Sequence, residues 1–191
     1  MELMTRRTFT LLIAILPASA WAASPAGEPH GVPNFHQVDD HIYRGAQPTT
    51  LGIESLAKLG VKTVIDLRGG ADHSRDEQKR VESAGMKYIH LPLSGHSAPS
   101  DGQVGTLLGL LDDSSGWPVF VHCRRGADRT GTILACYRIA HDHWTNDKAL
   151  KEAKLYGMSR LEISMQHYIL RFVAPPQSAP GPLTLQPAAV P

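Results

Sequence analysis

Cysteine is scarce in this chain. Two in 191 residues cannot make a disulfide scaffold. Charge of one sign is lacking too: 19 Lys+Arg stand against 18 Asp+Glu, with no run of five like charges. That balance excludes non-specific nucleic-acid binding through a basic face. No apolar stretch approaches the ~20 residues of a membrane span. What is present is 42% hydrophobic residues, and at this length they suit one domain burying about two-thirds of the surface its unfolded chain would expose.

The two ends read differently from the middle. Residues 1–23 have the order of an export signal: Arg6 and Arg7, an apolar stretch from Leu11 to Leu16, and small residues from Ala18 to Ala23. Thr5-Arg6-Arg7-Thr8-Phe9 further resembles the twin-arginine pattern, so the expected location is periplasmic. Cleavage is expected after Ala20, Ala22 or Ala23, and loss of residues 1–23 leaves 17 Lys+Arg against 17 Asp+Glu. Residues 24–33, with three prolines and two glycines, read as a linker. The tail from Ala174 to Pro191 holds six of the fourteen prolines and no charged side chain, which predicts a disordered segment. The domain then runs from Asn34 to Val173.

Within it, strands alternate with helices. Phe35 to Val38 and Ile42 to Arg44 flank Asp39-Asp40 as a short hairpin. Leu51, Leu56 and Leu59 suit one side of a helix ending at Gly60. Val61 to Leu67 and Pro118 to His122 read as buried strands, and Lys87 to Leu91 as a shorter one. Ser74-Arg75-Asp76-Glu77 and Ser100-Asp101-Gly102-Gln103 have the spacing of capping boxes that open helices. Further helices are predicted over Thr130–Ala140, Asn146–Tyr156 and Glu162–Val173, the last opened by Ser159. The fold class is α/β, with a mostly parallel central sheet flanked by helices and functional loops at the carboxyl ends of its strands.

One such loop carries chemistry. It reads His122-Cys123-Arg124-Arg125-Gly126-Ala127-Asp128-Arg129-Thr130-Gly131. A chain that passes from strand to helix in so few residues turns sharply, and Gly126 permits the turn. Backbone N–H groups of the turn, together with the helix's positive end, form an anion cradle over Arg124, Arg125, Gly126, Ala127, Asp128 and Arg129. Arg129 offers a planar fork matched to two phosphate oxygens. Cys123 sits in the same positive field, which favours its thiolate. A thiolate beneath a phosphate ester is poised for in-line attack at phosphorus.

The ten residues match the signature of the protein tyrosine phosphatase superfamily at every fixed position. From about Phe35 to Phe172 the chain resembles the small dual-specificity branch, including Tyr43-Arg44-Gly45-Ala46-Gln47-Pro48 and Thr63-Val64-Ile65-Asp66-Leu67-Arg68. The resemblance implies a phosphatase-like fold and a cysteine-dependent phosphomonoester hydrolase working through a phosphocysteine intermediate. It implies Cys123 as nucleophile, Arg129 as phosphate clamp, Thr130 as partner of the departing thiolate and His122 as a brace behind the loop. No metal or cofactor is expected: His141 and His143 have no convincing further ligands, and this chemistry needs none. Cys136, thirteen residues past Cys123, reads as a buried structural thiol rather than a disulfide partner.

The proton donor to the leaving group is left open. Asp101 lies on the segment before the loop where the family usually carries this acid, though at the first position of a helix an Asp also complements the dipole. Asp128, inside the loop, resembles the arrangement in myotubularin-type phosphatases. His96 is a third donor. Arg124 and Arg125 add positive charge beside the phosphate, which resembles enzymes acting on inositol phosphates or phosphoinositides as alternatives to phosphorylated proteins. A non-catalytic phosphate-binding module is the competing class. No nucleic-acid partner, and no membrane span once the signal is removed, is expected; the spacing fixes no oligomeric state.

Overall fold

The computed structural model describes residues 29–69 and 71–175. The expected export signal (residues 1–23), residues 24–28 and the tail beyond Pro175 lie outside the described residues.

Among the described residues, five strands and six α-helices follow one another as β1 (His36–Gln37), β2 (Ile42–Ala46), α1 (Thr50–Lys58), β3 (Thr63–Asp66), α2 (Ala71–Ser83), β4 (Lys87–His90), α3 (Asp101–Asp112), β5 (Val119–Cys123), α4 (Asp128–Ala140), α5 (Asn146–Leu155) and α6 (Ile163–Arg171). The sheet order is β1-β2-β5-β3-β4. Only β1 is antiparallel, to β2; the other pairings are parallel. The chain is therefore an α/β domain with a mostly parallel sheet, and β5 occupies its centre.

Centrality explains composition. All five residues of β5 are buried, and period-two alternation sends successive side chains to opposite faces. Val119, Val121 and Cys123 join Ile42, Ile65, Leu107, Leu111, Ile133 and Leu134 in one core, under α3 and α4. Phe120 joins Val64, Ile53, Leu56 and Val81 in the other, under α1 and α2. A third cluster packs α4 against α5 and α6 through Ala135, Ala149, Ala153, Met165 and Ile169.

Three helix starts differ from the sequence expectation. α2 begins at Ala71, so Ser74 and Glu77 lie within it rather than at its mouth. Both are buried, and Glu77 is drawn inward by ion pairs instead of turning back to cap. α4 begins at Asp128, two residues before Thr130. α6 begins at Ile163, and Ser159 does not cap it; the Ser159 hydroxyl accepts from the Leu161 amide instead. The Ser100 capping box forms as read, with Ser100 and Gln103 bonded reciprocally. The packed fold also starts before Asn34: Val32 is in the core, and Pro33 O accepts from the Ala46 amide at 2.7 Å.

Candidate active site

β5 ends at Cys123 and α4 opens at Asp128, leaving four residues to reverse the chain. The reversal requires glycine at 126. Its φ is +67°, and a Cβ there would stand 2.3 Å from the carbonyl carbon and oxygen of Gly45. Only a hydrogen fits between the loop and the end of β2.

The loop's carbonyls are held from outside. The Gln47 amide donates to Arg124 O at 3.4 Å. Asn34 Nδ2 donates to Arg125 O and Gly126 O at 3.2 Å each, and to Tyr156 O at 3.1 Å. Arg44 Nη2 donates to Gly126 O at 2.8 Å. In a trans peptide the N–H points opposite to its C=O, so the amides of Arg125, Gly126 and Ala127 face the concave side. With the N-terminus of α4 they form the anion cradle that the spacing anticipated. Arg44 is an anchor that sequence reasoning missed. It is 1% exposed, its guanidinium lies 4.5 Å from the Tyr156 ring centroid, and burial lowers its pKa to about 10.

Cys123 lies at the floor. Burial pushes its thiol up, but the hydroxyl and amide of Thr130, the charge of Arg129 and the amide of Arg125 more than offset this, and its pKa falls below the ordinary thiol value. The buried Thr130 hydroxyl has no other hydrogen-bond partner among the described residues. Arg129 is partly buried, and its Nη1 lies 3.5 Å from Leu67 O. The Leu93 amide donates to that same carbonyl at 3.2 Å, which brings the segment after β4 against Arg129.

Behind the loop, His122 faces the α2 side. Its Nδ1 lies 3.3 Å from Cys123 O, and its Nε2 stands 2.8 Å from Glu77 Oε1 and 3.9 Å from Asp66 Oδ1. Arg68 donates to Asp66 at 2.6 Å and to Glu77 at 2.7 Å, and Tyr88 Oη donates to Asp66 Oδ2 at 2.6 Å. Although burial acts to raise it, the Asp66 carboxyl is held below its ordinary value, first by Arg68 and then by His122 and Tyr88. Asp66, Glu77 and His122 have metal-ligand chemistry and bring their donor atoms within 4.8 Å of one another. They do not fit a metal, because the Arg68 guanidinium already lies between both carboxylates as their counter-charge. His141 likewise pairs with Asp142 at 3.0 Å and stacks on Tyr137.

Neither carboxylate singled out as acid stands free at the cradle. Asp128 is 8% exposed; its Oδ1 accepts from the Ser159 amide at 2.8 Å and its Oδ2 from Arg125 Nη2 at 2.5 Å. It ties the loop to the segment before α6. Asp101 accepts from Tyr168 Oη at 2.8 Å and lines an apolar groove with Val104, Leu108 and Phe172. After burial, it is the charge that pushes the Cys136 thiol up. Cys136 lies eight residues into α4, roughly 12 Å along its axis from the cradle. Arg124 and Arg125 are exposed and, with Arg80 of α2 and Gln47, line an open recess of about 760 Å³ beside the loop. Arg125 is partly committed to Asp128, which raises its pKa.

Sequence reasoning missed Asn34, Arg44, Arg68 and Glu77. A signal existed for two of them: Arg44 sits inside a strand, and Arg68 answers Asp66, which sits inside the run Val61 to Leu67, and a charge in such a place requires a partner.

Comparisons with known proteins agree with this geometry. The model of the family described as DSP-PTPase phosphatase fused to NAD+ kinase matches residues 28–170. The chain is 30% identical over 149 residues to the probable tyrosine-protein phosphatase DG1060 of Dictyostelium discoideum, covering 75% of this chain and 89% of that one. It is 29% identical over 124 residues to the inositol diphosphatase DSP5 of Arabidopsis thaliana, 63% of this chain and 60% of that one. The crystal structure of a Pseudomonas aeruginosa TpbA variant in complex with phosphotyrosine superposes with a TM-score of 0.63 at 25% identity, covering 77% of this chain and 90% of that one. This chain therefore belongs to the dual-specificity-type protein tyrosine phosphatase family and is a phosphoric monoester hydrolase of that type.

Proposed function

We propose that Cys123 is the nucleophile and that the protein hydrolyses phosphomonoesters on proteins through a phosphocysteine. The thiolate attacks phosphorus, the S–P bond forms as the ester P–O bond breaks, and the leaving oxygen takes a proton. Water then breaks the S–P bond, releasing inorganic phosphate and the thiolate, which Thr130 steadies. Arg129 and the loop amides hold the equatorial oxygens where charge gathers. The observation that carries this is the Cys123 sulfur at the floor of a loop whose Arg124, Arg125 and Gly126 carbonyls are bonded from outside, which leaves the following amides to face an anion.

The test is hydrolysis of p-nitrophenyl phosphate by the purified protein, with vanadate as inhibitor. Turnover is expected, with loss of more than about 10³-fold in Cys123→Ser. Tight phosphate-ester binding without turnover would instead make the protein a binding module.

A second reading, an inositol-phosphate or phosphoinositide phosphatase, is favoured by the recess beside the loop. Arg80, Arg124 and Arg125 line it, and three guanidinium groups suit a substrate carrying several phosphates. Export to the periplasm rests on Arg6, Arg7 and the apolar stretch after them. Fractionation of cells expressing the full chain, with and without an Arg6→Lys/Arg7→Lys double substitution, tests that.

A further inference from the structure

With Asp101 turned to Tyr168 and Asp128 bonded through both oxygens, the leaving group still needs a proton. Two segments converge on the cradle's rim. One is the loop after β4, whose Leu93 amide shares Leu67 O with Arg129. The other is the stretch before α6, whose Ser159 amide is bonded to Asp128 inside the catalytic loop. Where they meet, Ser164 Oγ donates to the carbonyl of His96 at 3.2 Å. Ser94 Oγ accepts from the amides of His96 and Ser97 at 3.3 and 3.1 Å, fixing the turn from the other side.

The His96 backbone is thus fixed while its side chain is 95% exposed. Its Nδ1 stands 3.9 Å from Oε1 of Glu162, whose own side chain is only 16% exposed. The Glu162 amide donates to Ser159 O at 3.3 Å, and the Ser159 amide is bonded to Asp128, so this carboxylate belongs to the segment tied to the catalytic loop. With a carboxylate near Nδ1, Nε2 is the ring nitrogen left to exchange a proton.

We propose that His96, oriented by Glu162, delivers the proton to the departing ester oxygen. This rests on the cysteine-phosphatase reading above. In the first step the Nε2–H bond breaks as the P–O bond breaks, and the proton goes to the leaving alkoxide or phenolate. In the second step neutral His96 takes a proton from the attacking water, and the imidazolium is restored. Glu162 acts only through His96 and is a positioning residue.

A series of aryl phosphates whose leaving phenols span low to high pKa separates the outcomes. His96→Asn should lose about 10²-fold on phenyl phosphate and little on 2,4-dinitrophenyl phosphate, whose leaving group needs no proton. Glu162→Gln should steepen the same dependence part of the way, and Glu162→Asp should recover some of it. A merely structural role would lower all substrates together. Asp101→Asn should show no dependence on the leaving group. Equal losses across the series in His96→Asn, or none, would overturn the role of His96 while wild-type turnover and an inactive Cys123→Ser keep the phosphatase reading. Absence of wild-type turnover would sink both.

Discussion

A buried thiol ought to be a weaker acid than a free one, because a thiolate loses its hydration. Cys123 is 2% exposed, yet its pKa is lowered. The difference is made by donors: Thr130 through hydroxyl and amide, the Arg125 amide and the Arg129 charge. Removing one donor must move the thiol back up. Thr130→Ala is expected to shift the pH at which iodoacetamide alkylates Cys123 to higher values, and Thr130→Ser to restore it. Arg44 works one layer further out, since its contact is with Gly126 O and not with sulfur. Arg44→Met should therefore slow turnover about tenfold by loosening the loop, a loss of ~1.4 kcal/mol. A rate within twofold of wild type would show that Asn34 suffices to hold Gly126 O.

Among the elements, β5 does two jobs because it is pleated. Its odd-numbered residues put Cys123 toward α3 and α4, and its even-numbered ones put His122 toward Glu77 on α2. Removing Glu77 leaves Arg68 and His122 buried with one carboxylate, Asp66, between them. Glu77→Ala is expected to cost roughly 3 kcal/mol in urea unfolding, the usual loss when one partner of a buried pair is removed. The Asp66 carboxyl is depressed in the fold, so its contribution is present above the ordinary carboxylate range and disappears as pH drops through its folded pKa. The strands and the catalytic loop were legible in the sequence because buried β-branched runs and one dense motif are local signals. The start of α2 was not, because Ser74-Arg75-Asp76-Glu77 has capping spacing while Glu77 answers to Arg68 and His122, distant in sequence. The surroundings of the candidate acids were equally illegible: Asp101 and Asp128 look alike as letters, and their partners Tyr168 and Ser159 come from segments distant in sequence.

Over the whole molecule, positive and negative charges nearly cancel, so attraction for an anionic substrate must come from local arrangement. Arg80, Arg124 and Arg125 gather positive charge in the recess beside the catalytic loop. The double substitution Arg80→Ala/Arg124→Ala should raise KM for a multiply phosphorylated inositol about tenfold and leave KM for p-nitrophenyl phosphate nearly unaltered. Equal changes for both substrates would remove the recess from substrate choice. The chain's two cysteines are both buried and unpaired, and Cys136 is sealed well along α4 with its thiol pushed up by burial. A peroxide that converts Cys123 to a sulfenic acid thus meets no resolving thiol within the molecule. Recovery from oxidative arrest depends on a reductant from outside, and continued exposure carries the sulfur on to irreversible sulfinic and sulfonic states.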